Sequence, residues 1–290
     1  MRLTALRSAS AACLLVISAT GCAQDDISPD HTATARLDRD SGQVVLPIDE
    51  YAPAPEDEVV MTHARLAILR SCLQPKGFNG VEPPEQSAQD VAEDRPYGLW
   101  LVDRAKTHGF DMQPPSRTDD RTPPPGGWSD ELDPAFNQAY DICAAEVKEQ
   151  MLQVSSPTTS GQGSASTTIR MQARSLASEA EPWKAAHHEW QQCLRANGLT
   201  PPEQNDGWSS EEARALLETS ESANTAQEGV RIAVIEATCN EQTQLTQKLG
   251  DIEAGYQATL IRQNEAALTE ESKTHAAHLD AARAYLASHQ

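Results

Sequence analysis

Two stretches of this 290-residue chain repeat each other around their cysteines, and that repetition limits the possible folds more than any other feature. Cys72-Leu73-x-x-x-Gly77-Phe78 matches Cys193-Leu194-x-x-x-Gly198-Leu199. Gly127-Trp128-Ser129-Asp130-Glu131 then matches Gly207-Trp208-Ser209-Ser210-Glu211, and Cys143-Ala144-Ala145-Glu146 follows in the same order as Cys239-Asn240-Glu241. Four cysteines admit three pairings. A duplicated helix–loop–helix unit, with one cysteine on its first helix and one on its last, most simply pairs Cys72 with Cys143 and Cys193 with Cys239.

Such units need a brace. Leu, Ile, Val and Phe make up about 17% of the chain and aromatics 4%, while the formal net charge is −20. That aliphatic share lies below the roughly 20% at which strong net charge begins to favour disorder. A single close-packed core is therefore not expected, nor is a doubly wound α/β enzyme, whose buried parallel strands read as Val/Ile runs. The acidic balance would repel phosphates, so no nucleic-acid partner is expected. Closing loops of roughly 50–70 residues by disulfides is worth ~4 kcal/mol per bridge in the chain-entropy account. A redox-active pair would need a Cys-x-x-Cys or a nearby cation to favour the thiolate, and a zinc site would need closer ligand spacing. The expected fold is all-α, with two disulfide-braced helical units, a long C-terminal helix and a disordered N-terminal tether.

The N-terminus reads as an address. Arg2 and Arg7 precede a short apolar stretch, Ala9 to Ala19, which is too short to span a bilayer and has the form of a signal segment over residues 1–21. Ala19-Thr20-Gly21-Cys22 resembles the bacterial lipobox, in which small residues precede a cysteine that takes up lipid and becomes the mature N-terminus. The expected location is the cell membrane, lipid-anchored at Cys22 on the extracytoplasmic face. That compartment is oxidising and suits two disulfides. Residues 22–56 are acidic and carry no sustained apolar period, so they read as a tether holding the body on the order of 30 Å from the bilayer, with the short apolar run Val44–Ile48 as an alternative strand or arm that docks.

Unit 1 spans residues 57–154, a Ser/Thr/Gly linker 155–168, and unit 2 residues 169–290. In unit 1 the spacing predicts helices over Glu56 to Gln74, Tyr97 to His108, and Pro134 to Met151. In unit 2, Ile169, Ala173, Leu176, Ala180, Trp183, His187, Trp190 and Leu194 form a seam that Pro182 should interrupt near Glu181. Ser209 or Ser210 should cap a short helix ending at Leu217. Ala226 to Ser288 holds no proline; unbroken, it would be a rod of about 90 Å with weak points at Gly250 and Gly255. Its far end should project or pack on a protein partner.

Candidate chemistry is sparse. His187 and His188 point about 100° apart on a helix, and His275 and His278 lack a third ligand, so no metal or cofactor is expected. The chain holds no Gly-x-Ser-x-Gly, no His-Glu-x-x-His and no phosphate-cradling glycine loop, and no catalytic residue is assigned. Trp128, Trp190 and Trp208 form a possible binding face, whose alternative role is to fill small cores around the disulfides.

Tyr97-Gly98-Leu99 with Ala105 and Gly109-Phe110, then Ala139 to Cys143, then Trp190-Gln191-Gln192-Cys193-Leu194 with Gly198, resemble a family of uncharacterised lipoproteins of actinobacteria. Leu194 stands where that family usually has Met. The resemblance covers roughly residues 60–265 and implies an accessory role beside a transporter or a peptidoglycan-binding partner. The expectation is thus a non-enzymatic envelope lipoprotein, with a cell-wall glycan binder using the tryptophan faces as the alternative.

Overall fold

The computed structural model describes residues 27–79, 93–111, 134–155, 163–203, 207–218 and 227–289. The signal segment, Cys22 and Trp128 lie outside them. Among the described residues the architecture is all-α apart from one small hairpin, β1 (Arg36–Asp38) and β2 (Gln43–Val45), paired antiparallel with Leu37 opposite Val44. The helices are α1 (Pro55–Leu73), α2 (Val102–His108), α3 (Pro134–Glu146), α4 (Lys148–Gln153), α5 (Ala165–Glu179), α6 (Glu181–Ala196), α7 (Glu211–Leu217), α8 (Gln227–Thr243), α9 (Leu245–Gln263) and α10 (Glu265–Ser288).

Both expected disulfides are present. Cys72–Cys143 ties α1 to α3 and Cys193–Cys239 ties α6 to α8, each with Cα atoms 5.6 Å apart. The repeat extends to atomic detail. Each cysteine helix stops in a Schellman motif around a left-handed glycine, Gly77 (φ 96°) or Gly198 (φ 78°). The N–H of Phe78 donates to the Leu73 carbonyl at 3.2 Å, and that of Leu199 to the Leu194 carbonyl at 2.9 Å. Four residues after the first cysteine, Lys76 Nζ and Asn197 Nδ2 lie 3.4 and 3.5 Å from the Sγ of Cys72 and Cys193. Three residues after the second, Glu146 and Gln242 place a side-chain oxygen 3.1 and 3.6 Å from those same sulfurs. Glu146 therefore corresponds to Gln242, one position beyond the Glu241 that the sequence pattern aligns with it.

Several expectations are corrected by long-range packing. Residues 27–56 are not a tether: Ala35, Val44, Leu46 and Ile48 are buried, and the segment lies along α9 before entering α1. The linker is shorter than residues 155–168, because Ser164 caps α5 by accepting the Thr167 N–H at 3.0 Å. Tyr97 to Leu101 is not helical. Tyr97, Leu99, Trp100 and Leu101 are all buried, and four nearly consecutive buried side chains do not fit a one-sided amphipathic helix. The C-terminal rod breaks at Gln244 (φ 55°) and Asn264, not at the glycines. Gly250 and Gly255 are instead places of close approach: a Cβ there would lie 2.7 Å from Ala35 Cβ and 3.0 Å from the Asp30 carbonyl oxygen. The interruption expected near Glu181, as a kink or as two abutting helices, takes the second form: α5 ends at Glu179 and α6 starts at Glu181.

The two units also share cores. The larger core joins α6, α8 and α9 to the 97–110 segment, so unit 1's linking stretch is packed inside unit 2. In return α10, the end of unit 2, packs its Leu279 and Ala282 with Met61, Ala64 and Ile68 of α1. The rod neither projects nor stands apart.

Candidate functional site

Where the borrowed segment meets α5 and α9, the chain buries a charged cluster. Glu253, 3% exposed, accepts the Tyr97 hydroxyl at 2.9 Å and the Arg174 guanidinium at 2.9 Å on one oxygen, and the Gln257 amide at 3.2 Å on the other. Gln257 in turn accepts the Ile48 N–H at 3.1 Å. Arg174 also donates to the Pro96 carbonyl at 2.7 Å and lies 4.5 Å over the Tyr97 ring and 4.7 Å over that of Trp183. A buried carboxylate is tolerated only when its charge and lone pairs are met, and here three donors, from the Tyr97 segment, α5 and α9 itself, supply what it needs. Burial and the nearby Glu253 charge push the Tyr97 phenol well above its ordinary range, so it stays a donor.

Above this cluster lies an open cleft of about 860 Å³, walled by the hairpin, by residues 94–96 and by α5. Asp49 pairs with Arg170 at 2.7 Å on its rim, and Met171 stands 63% exposed beside it. Asp94 faces the same space, its carboxyl raised by burial against the opposing hydrogen bond from the Val44 N–H. The lining mixes charged and apolar side chains, and Arg170 and Arg174 are already paired with Asp49 and Glu253.

The expected tryptophan face is largely core. Trp190 is 1% exposed and stacked on His187, whose ring Nε2 lies 3.2 Å from the Gly207 carbonyl oxygen. Trp208 sits among Tyr97, Trp183 and Trp190 with ring centroids about 6 Å apart, near the upper end of favourable aromatic spacing. One side of it remains open, lining a groove of about 430 Å³ with Pro202, Arg214 and Leu217. Burial thus removes Trp190 from any binding surface and leaves Trp208.

Of the paired histidines, His188 is exposed, His278 Nδ1 lies 2.5 Å from the Ser155 carbonyl oxygen, and both ring nitrogens of His275 are buried without a partner. They do not form a ligand set. Among the described residues, the one grouping of His, Cys, Asp and Glu atoms close enough to share an ion is Cys72, Cys143 and Glu146, and its two sulfurs are bonded to each other. No helix among the described residues is long and apolar enough to cross a membrane.

Sequence reasoning missed the Glu253 cluster and the cleft. Their members are separated by as much as 209 residues between bonded partners, and no local pattern links Asp49, Asp94, Arg174 and Glu253. Compared with family models, curated proteins and solved structures, the chain matches none.

Proposed function

We propose that the chain is a non-catalytic, lipid-anchored protein of the cell envelope, held at the outer face of the cell membrane through Cys22. In this reading it serves as a binding or accessory partner of a membrane complex such as a transporter. The observation that supports an extracytoplasmic place is the pairing of all four body cysteines within their own repeats, because structural disulfides persist in oxidising compartments. The partner surface is the cleft around Met171 together with the outward face of α10, whose inner face is occupied by α1. Impermeant labelling and fractionation of intact cells test the location: the protein should label from outside and sediment with membranes, and Cys22→Ala should release it or leave the signal segment uncut. A photo-crosslinker at Met171 should capture a membrane protein that is absent when the crosslinker sits at Lys106, exposed on α2 and outside both surfaces. Identical capture from both positions counts against the cleft.

One observation favours a second reading, binding of cell-wall glycan: the groove of Trp208, Pro202 and Leu217, since an aromatic face beside polar donors suits a sugar ring. Leu217→Arg, at a position 40% exposed, would abolish binding to purified sacculi without disturbing the core if that reading holds.

A further inference from the structure

The N-terminal strap has an attachment geometry that bears on how the body sits on a membrane. Thr259 Oγ1 donates to the Ser28 carbonyl at 2.9 Å, and the Asp30 N–H donates to the Gly255 carbonyl at 2.9 Å. Arg262 pairs with the Asp30 carboxylate at 2.7 Å. Further along, the Ala35 N–H donates to Asp251 at 2.9 Å and the Gln247 amide to the Ala35 carbonyl at 3.0 Å. The strap therefore runs along α9 in the opposite direction, its N-terminal end at the C-terminal end of that helix. The close approaches at Gly250 and Gly255 leave it no slack.

We propose that this strap fixes which side of the body faces the lipid: the C-terminal end of α9, around Thr259, Arg262 and Gln263, is the membrane-facing surface. The inference rests on the lipid-anchor reading above and adds an orientation to it. From Cys22 to Ser28, the first residue bonded to α9, the chain has six Cα–Cα steps, which reach about 20 Å at full extension. A free tether over residues 22–56 would let the body turn at will; an attachment pinned beside Thr259 does not. With a net charge of −20 the body has no overall attraction to an anionic leaflet, so the attachment point and its reach set the orientation.

The test uses the full-length protein in vesicles of phosphatidylcholine and phosphatidylglycerol carrying an acceptor dye on the headgroups, with a fluorescent residue at exposed position Gln263. Mass analysis of the N-terminal peptide is read first. Acyl chains on Cys22 with strong energy transfer from Gln263 are expected. Forty Gly/Ser residues inserted between Asp26 and Ile27 raise the typical reach to about 35 Å and should cut the transfer several-fold. Gly255→Val, which displaces Asp30, should do the same while circular dichroism reports a folded chain; if that variant unfolds, the insertion alone decides. Unacylated Cys22 overturns the anchor reading and the orientation with it. Acylated protein with weak transfer, or transfer unchanged by the insertion, overturns the orientation alone.

Discussion

Around Cys72–Cys143 the buried side chains are Leu69, Leu73 and Ala139, with Phe78 and Phe136 edge to face at 5.4 Å. Around Cys193–Cys239 they are Trp183, Trp190, Leu194, Ile232 and Leu245, joined by Tyr97 and Trp100 from the other repeat. The helix stops and the groups flanking the sulfurs are alike in both places, so the local device was duplicated while the packing was not. A motif of half a dozen residues can be copied intact, but a core depends on everything that folds against it. The second repeat took up the aromatic mass of the chain, and the first was left to its bridge and to α10.

That contrast makes the two bridges matter unequally. Each closes a long loop, with sequence separations of 71 and 46, so each is worth ~4 kcal/mol in unfolded-chain entropy. Cys72→Ala with Cys143→Ala should abolish hydrogen-exchange protection in α1, α3 and α4 while α6, α8 and α9 stay protected. Cys193→Ala with Cys239→Ala should lower the unfolding midpoint yet leave one cooperative transition. Equal loss in both would break the comparison.

The next largest effect belongs to the second core. Glu253→Ala strips the partner from Arg174, Tyr97 and Gln257 and should cost about 3–5 kcal/mol, as breaking a buried pair does, with urea unfolding as the measure. Because Arg174 is itself a third exposed, the lower end of that range is expected.

Acidity sharpens the contrast further. Burial raises Glu236 from its ordinary 4.5 to about 7, against the Ser210 hydroxyl and N–H that both donate to it at 2.7 Å. Between those limits the folded chain keeps a proton that the unfolded chain has released. This group's contribution is therefore full below about pH 4.5 and is lost as pH rises through about 7, a swing of up to about 3 kcal/mol. Glu236→Gln should flatten that dependence in midpoints measured from pH 4.5 to 7.5, and only for the second core. A smaller effect is expected at the strap: Gly250→Ala should cost about 1–3 kcal/mol by overpacking against Ala35 and should expose residues 27–35 to limited proteolysis.

What could be read from the chain divides along the same line. The bridges, the glycine stops at Gly77 and Gly198, and the boundary at Glu181 are written within a few residues of where they act. The strap, the non-helical Tyr97–Leu101 stretch and the Glu253 cluster are not, because each is decided by a partner more than seventy residues away. Gly250 and Gly255 show the difference well. Read alone they look like flaws in a helix, and only the segment lying across α9 explains why a side chain is missing there. Gln244 carries no helix-breaking character at all; its turn is secured by Asn240, which donates to the Tyr97 carbonyl at 3.1 Å and accepts the Thr246 N–H at 3.0 Å.

The lodging of Tyr97 against Trp183 and Trp208 of the other repeat, with Trp100 in the same core, ties the two halves of the molecule together. A fragment starting at Gly163 would carry a complete second disulfide yet have an empty slot at its centre, and a fragment ending at Ser155 would leave the matching plug bare to water. Neither half is an autonomous building block, so a truncation or fusion that cuts between residues 155 and 163 opens cores that the two halves share.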